Sequence, residues 1–126
     1  MKGLRMGQDG FTLVELLFVL IIIGILTTIA VPTYLGQRSK AKDAAVKEGI
    51  HRVQVGVESY AADSNDALPA AVDQSTVGVY VDNWPRNPYT NAAMKDSTAV
   101  GDYTYQPASD GFTLVGHLSS GDFAVP

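Results

Sequence analysis

Hydrophobic and polar positions divide the chain into two unlike parts. The segment from Phe11 to Tyr34 is almost wholly apolar, with Glu15 as its only charged residue, and no residue from Leu16 to Gln37 is charged. These 22 residues would form a helix about 33 Å long, which is enough to cross a bilayer core of about 30 Å. The pattern predicts one membrane-spanning helix followed by a polar domain.

Beyond Arg38 the apolar positions take the spacing of an amphipathic helix. They recur at intervals of four, three, four and three residues, which places one set of side chains on one face: Val46, Ile50, Val53, Val57 and Tyr60. Opposite charges four residues apart, Asp43 with Lys47 and Glu48 with Arg52, are expected to add ion pairs. The amphipathic face needs a cover, which the C-terminal half must supply.

The predicted helix therefore runs from Phe11 to about Ala62. The turn-forming run Asp63-Ser64-Asn65-Asp66, followed by Pro69, ends it. Pro32 lacks an N–H and clashes with the preceding turn, so we expect a kink or loosened turn near it. Gly24 and Gly36 lower helix propensity at two further points.

In the C-terminal half, apolar and polar residues alternate over short stretches, which is typical of β-strands. Val77–Val81 is predicted to be a strand, and Asp102–Gln106 with Phe112–Leu118 forms the clearest hairpin, joined by a loop at 107–111. Gly121–Val125 is a candidate last edge strand. The predicted fold class is α+β: a long N-terminal helix whose second half packs against a small antiparallel sheet.

Charge and composition limit the partners of the polar domain. The chain of 126 residues has a net charge of −4 and no cysteine, so a disulfide framework is excluded. After Arg52, two basic residues stand against nine acidic ones, which disfavours nucleic acid as a partner of the head. Five basic residues lie between Arg38 and Arg52; they either form a solvated helix face or contact anionic lipid or an acidic neighbour.

Residues that could carry catalysis or bind a metal are few. His51 and His117 match no metal-ligand spacing, and no phosphate-binding loop is present, so neither an enzyme nor a cofactor is predicted. Trp84 and the strand aromatics are expected in the core. Four aspartates are weak calcium candidates, with turn formation as the favoured alternative: Asp96, Asp102, Asp110 and Asp122.

The residues before the apolar segment do not form a secretory signal. The stretch Met1–Gly10 carries Lys2 and Arg5 but has no apolar region of its own, and no small-residue cleavage pattern follows the apolar run. The apolar segment is therefore expected to remain in the mature protein.

The run Gly10-Phe11-Thr12-Leu13-Val14-Glu15-Leu16-Leu17 resembles the processing signature of type IV pilins and the related pseudopilins. The resemblance implies that a prepilin peptidase cuts between Gly10 and Phe11 and methylates the new amine of Phe11. It also implies that Glu15 pairs with the N-terminus of an adjacent subunit, and that Gly24 and Pro32 lie where the helix loosens in filaments. The implied parts are a leader (1–10), a transmembrane and filament-core helix (11–37) and a head (38–126).

The main interpretation is a structural subunit of a type IV pilus, polymerised into a surface filament for adhesion, motility or DNA uptake. One alternative is a type II secretion pseudopilin in a short periplasmic fibre, which the lack of a recognisable calcium loop disfavours; another is a membrane-anchored binding module. The implied partners are copies of the same chain, the peptidase, the assembly platform and minor pilins, with the cytoplasmic membrane as host before assembly. The family orientation puts the leader inside, although the count of Lys and Arg alone would favour the reverse.

Overall fold

The computed structural model describes residues 10–126, so the first nine residues of the predicted leader, with Lys2 and Arg5, lie outside the described part. The chain divides between Gln37 and Arg38 into two compact units, an apolar helical segment and a head. The elements in chain order are helix α1 (Leu13–Asp63), a short 3-10 helix (Gly78–Tyr80) and strands β1 (Tyr103–Ala108), β2 (Gly111–Leu118) and β3 (Gly121–Val125).

Helix α1 confirms the single long helix predicted from the sequence. It continues through Gly24, Pro32 and Gly36 as one helix, and the kink or loosened turn expected near Pro32 stays a prediction. At its end, the Asp66 N–H donates to the Ala61 carbonyl at 2.8 Å, and Asn65 and Asp66 have positive φ angles of 54° and 61°. The turn-forming residues end the helix as predicted.

The head is built on the amphipathic face of α1. Three antiparallel strands in the order β1-β2-β3 cover it, with Tyr103 opposite Gly116 and Leu114 opposite Val125. The four aliphatic side chains predicted to share one helix face are fully buried: Val46, Ile50, Val53 and Val57. All residues of this core belong to the head, so the head carries the hydrophobic cluster needed to fold by itself. The α+β fold class is confirmed.

The segment Val77–Val81 is not the predicted strand. Asp73 accepts hydrogen bonds from the backbone N–H groups of Ser75 at 2.8 Å and Thr76 at 2.9 Å, and the Val77 N–H donates to the Asp73 carbonyl at 3.1 Å. These local bonds set a series of tight turns that ends in the 3-10 helix, because an aspartate side chain offers the backbone an alternative to a sheet ladder.

The hairpin is longer than predicted. Strand β1 continues to Ala108, where residue Ala108 pairs with Gly111, so only Ser109 and Asp110 form the turn. Pro107 lies within β1, opposite Phe112. The missing N–H of proline is tolerated there because β1 is an edge strand of the sheet.

Asp43 makes a connection that the sequence prediction assigned wrongly. It does not pair with Lys47; its carboxylate accepts hydrogen bonds from the Tyr89 hydroxyl at 2.6 Å, the Ser119 N–H at 3.0 Å and the Ser120 hydroxyl at 3.0 Å. Tyr89 comes from the loop before β1, and the two serines form the β2–β3 turn. One buried carboxylate thus joins the helix to two other segments. The predicted pair of Glu48 and Arg52 is confirmed, at 2.5 Å.

The close packing of β2 on α1 generates a stability prediction. A Cβ added at Gly116 would lie 1.8 Å from Ile50 Cδ1, so Gly116→Ala is expected to destabilise the head by about 1–3 kcal/mol through overpacking. Denaturant unfolding of the head (38–126) measures the change. Ile50→Val removes the clashing methyl, so the double variant should lose less stability than the two single losses combined; strict additivity or an unchanged Gly116→Ala protein would contradict the packing.

The hydrogen bonds to the Asp43 carboxylate predict how the stability of the head depends on pH. Burial raises the pKa of the Asp43 carboxyl group, but the hydrogen bonds from Tyr89, Ser119 and Ser120 outweigh it and lower the pKa from 3.8 to about 2. Because the folded pKa lies below the unfolded one, the stabilisation is complete above about pH 4 and is lost as the pH falls toward 2. Asp43→Asn should therefore lower the free energy of unfolding near neutral pH and reduce its loss on acidification.

The control is Asp82→Asn, since Asp82 is exposed. This variant should keep the stability and acid response of the parent head. If Asp43→Asn and Asp82→Asn have the same unfolding midpoints at neutral pH, the carboxylate does not hold the three segments together.

Candidate assembly site at the N-terminal segment

Thr12 and Glu15 cap the first turn of α1. The Thr12 N–H donates to Glu15 Oε2 at 3.2 Å, and the Glu15 N–H donates to Thr12 Oγ1 at 3.1 Å. This reciprocal pair is a capping box, which satisfies two backbone donors that the helix itself cannot. The sequence analysis missed the role of Thr12, although the pattern Thr12-Leu13-Val14-Glu15 carries the signal for such a box.

The capping box determines where the Glu15 carboxylate lies and which hydrogen bonds it can still accept. A carboxylate in the first turn of a helix is favoured by the helix dipole, so Glu15 is held as an acceptor near the point where the chain enters the helix. The Thr12 bond uses one carboxylate oxygen, and each oxygen can accept more than one hydrogen bond. The arrangement is therefore compatible with a further donor, such as the amine that cleavage after Gly10 would create on Phe11.

The surface of the apolar segment is open. Phe11 is 81% exposed, and the 18-residue window that marks the candidate membrane span has a mean hydropathy of 2.8 with none of it buried within the chain. An apolar surface of this extent is found on proteins that bury it elsewhere, in lipid or against other chains. Length and composition fit a membrane span, and the segment needs lipid or neighbouring chains to cover its apolar surface.

The middle of the apolar segment holds a group of threonines that bond back to the helix. The hydroxyls of Thr27, Thr28 and Thr33 donate to backbone carbonyls one turn earlier, at 2.6, 2.8 and 3.0 Å. Such bonds satisfy the hydroxyls in an apolar setting and favour slight bending of a helix. Gly24 provides one of these carbonyls, and a Cβ added at Gly24 would contact nothing within 4 Å.

The four calcium candidates do not meet in one place. Asp110 lies in the β1–β2 turn, and Asp122 lies in β3, 2.9 Å from His117. Asp96 forms an isolated backbone bridge with Tyr103. Within residues 10–126, no group of three or more His, Cys, Asp or Glu side chains is placed to hold a metal ion.

Asp102 has a structural role that the sequence did not indicate. It is almost fully buried, and its two oxygens accept hydrogen bonds from Asn87 Nδ2 at 3.1 Å and Ser97 Oγ at 2.8 Å. Asn87 is fully buried and also donates to the Val100 carbonyl at 2.9 Å. These bonds close the loop between the 3-10 helix and β1. The aromatic residues predicted for the core lie there: Tyr103 and Tyr105 are buried, and Trp84 and Phe112 pack against them.

Comparison with known proteins places the N-terminal segment in a defined motif. The profile described as the prokaryotic N-terminal methylation motif matches residues 5–31. That range contains the candidate cleavage point, the capping box and most of the open apolar surface.

Relatives extend the similarity into the head. The chain is 29% identical to "Type II secretion system core protein G" of Klebsiella michiganensis, over 97% of this chain and 89% of the relative. It is 29% identical to the protein of the same name in Vibrio cholerae, over 90% of this chain and 80% of the relative, and 30% identical to that of Pseudomonas aeruginosa, over 68% and 64%. No solved structure matches the chain.

The motif and the relatives agree with the structure. The methylation motif covers the capped, open helix, and two of these relatives match through the helix and the head. The chain therefore carries the prepilin N-terminal methylation motif and is homologous to type II secretion system core protein G, as the resemblance to the class III signal prepilins predicted.

Proposed function

We propose that this chain is a pseudopilin of a type II secretion system, a non-catalytic subunit that polymerises through its apolar helix into a short periplasmic fibre. The observation that carries the proposal is the capped, open apolar helix joined to a head, in a chain whose relatives over nearly its whole length are named as type II secretion components. These relatives favour the pseudopilin alternative over the type IV pilus. They outweigh the lack of a recognisable calcium loop, which was a weak argument for the pilus.

Processing prepares the subunit for assembly. A prepilin peptidase on the cytoplasmic side would cut after Gly10 and methylate Phe11, and the apolar segment would then hold the subunit in the cytoplasmic membrane with its head outside. In the described chain Gly10 and Phe11 are exposed, as a protease site must be. The assembly platform and minor subunits would then draw the processed chain into the fibre.

Glu15 couples assembly to register. A carboxylate at the middle of a membrane helix costs at least about 2.5 kcal/mol, and less near an end. In the fibre the carboxylate would be buried among neighbouring apolar helices, where a charge needs a partner. The amine of Phe11 in an adjacent subunit can supply that partner only when the two helices are correctly staggered.

Gly24 and Pro32 are proposed to let the helix adjust its length on entering the fibre. Pro32 removes one backbone hydrogen bond from the ladder, and the hydroxyl of Thr28 already shares its bond between the Gly24 and Ile25 carbonyls, at 2.8 Å each. Alternative hydrogen-bond partners of this kind lower the cost of a local loosening.

The assembly role of Glu15 is tested by Glu15→Gln, which keeps the shape and the bond to Thr12 but removes the charge. We expect normal cleavage and membrane insertion, with polymer yield reduced about tenfold or more, because loss of a buried ion pair costs several kcal/mol. The measurement combines intact mass with sedimentation of cross-linked polymer. Glu58→Gln makes the same change at an exposed carboxylate of the head and is the control, with a polymer yield like that of the parent; equal yields from Glu15→Gln and the parent would refute the pairing.

The secretion role is tested separately from assembly. In the source cell, deletion of the gene should leave an exported enzyme trapped in the periplasm, and the parent gene, but not Glu15→Gln, should restore its release. Long fibres on the cell surface, together with unimpaired secretion in the deletion strain, would favour the type IV pilus instead.

A further inference from the structure

Three basic residues lie at the start of the head, and we refer to Arg38, Lys40 and Lys42 as the basic collar. Arg38 and Lys40 are exposed, whereas Lys42 is half-buried with its Nζ 5.0 Å from the centre of the Tyr89 ring. The collar directly follows the 22 uncharged residues of the apolar segment. Tyr34, which is 64% exposed, precedes it by four residues.

The acidic residue closest in sequence does not neutralise the collar. Asp43 is turned into the head, where Tyr89, Ser119 and Ser120 donate to its carboxylate. The carboxylate remains ionised but is nearly buried, and its oxygens already accept hydrogen bonds from inside the fold. The surface presented by residues 38–42 therefore carries three positive charges, on a head whose charged residues are otherwise mostly acidic.

The collar residues lie on two opposite sides of the helix. Successive residues of an α-helix are rotated by about 100°, so Arg38 and Lys40 lie on opposite sides, while Lys42 lies near Arg38 and about 6 Å further along the axis. A protein neighbour would contact one side of the helix. Positive charges on both sides of the helix, within about 6 Å along its axis, fit a membrane surface that the helix crosses.

We propose that the basic collar binds the anionic headgroups of the membrane that holds the apolar segment. Lys and Arg beside an anionic membrane surface each increase binding by about fivefold, and a tyrosine at the boundary is typical of membrane interfaces. The collar fixes the depth of the subunit in the bilayer before assembly, and its contacts must be released when the subunit enters a fibre.

Binding of lipid headgroups explains why three basic residues lie on the outer side of the membrane span, which the positive-inside tendency does not. The positive-inside tendency would put the collar in the cytoplasm, whereas the proposed orientation puts it outside. A lipid-binding collar gives these residues a purpose on the outer side. The inference rests on the membrane span and not on the secretion role, so it can fail or hold independently of the pseudopilin proposal.

The test uses the full chain, reconstituted in nanodiscs, with one probe at the collar. The chain contains no cysteine, and Ala41 is exposed between the collar residues, so Ala41→Cys accepts an environment-sensitive fluorophore at a single site. Quenching of the fluorophore by acrylamide, which is uncharged and therefore not repelled by anionic lipid, is compared between nanodiscs of phosphatidylcholine and nanodiscs rich in phosphatidylglycerol. We expect quenching to fall at least about twofold with the anionic lipid, and the difference to disappear at about 0.5 M salt.

Two charge-matched variants locate the effect. Arg38→Gln with Lys40→Gln should abolish the response to phosphatidylglycerol, whereas Arg86→Gln with Lys95→Gln, which removes the same charge elsewhere on the head, should retain it. Equal quenching in both lipids, or the same behaviour of the two variants, would overturn the proposal. So would a collar variant that responds to lipid like the parent but forms less polymer, because that result would assign the collar to a neighbouring subunit.

Discussion

The structure depends on one constraint: an apolar helical segment that has no cover within its own chain and carries a single charge near its start. None of the membrane-span window is buried, so this surface must be covered by lipid or by other helices. Glu15 is the exception in the segment, and the capping box with Thr12 holds it at the helix start. Membrane insertion and polymerisation would each cover the same apolar surface, and we propose that the Glu15 carboxylate favours polymerisation, because only a neighbouring subunit offers it an amine as a partner.

The head is stabilised by separate interactions, which leaves it unaffected by the environment of the apolar segment. Its core lies wholly within residues 38–126, and Asp43 joins the helix to the β2–β3 turn and to Tyr89. These bonds also hold the Asp43 side chain inside the fold, so that it is nearly buried beside the basic collar. We therefore expect the head to keep its fold when the apolar segment moves from lipid into a fibre.

The sequence predicted what depends on local spacing and missed what depends on distant contacts. The buried face with Val46 and Ile50 and the hairpin strands followed from periodicity, and the N-terminal motif is contiguous. Val77–Val81 was assigned wrongly because Asp73 bonds to the following backbone and replaces a strand by turns. The role of Asp43 was hidden because its partners lie 46 and 76 residues away. The close approach of Gly116 to Ile50 was not predicted either, because the packing of β2 against α1 cannot be inferred from either segment alone.

We propose that the chain is cleaved after Gly10 and polymerises through the exposed helix. The most direct test is intact mass and N-terminal sequencing of the protein recovered from purified fibres. We expect a chain that begins at Phe11 with one added methyl group. A chain that still begins at Met1, in cells with an active prepilin peptidase, would contradict it and leave a membrane-anchored domain that does not assemble.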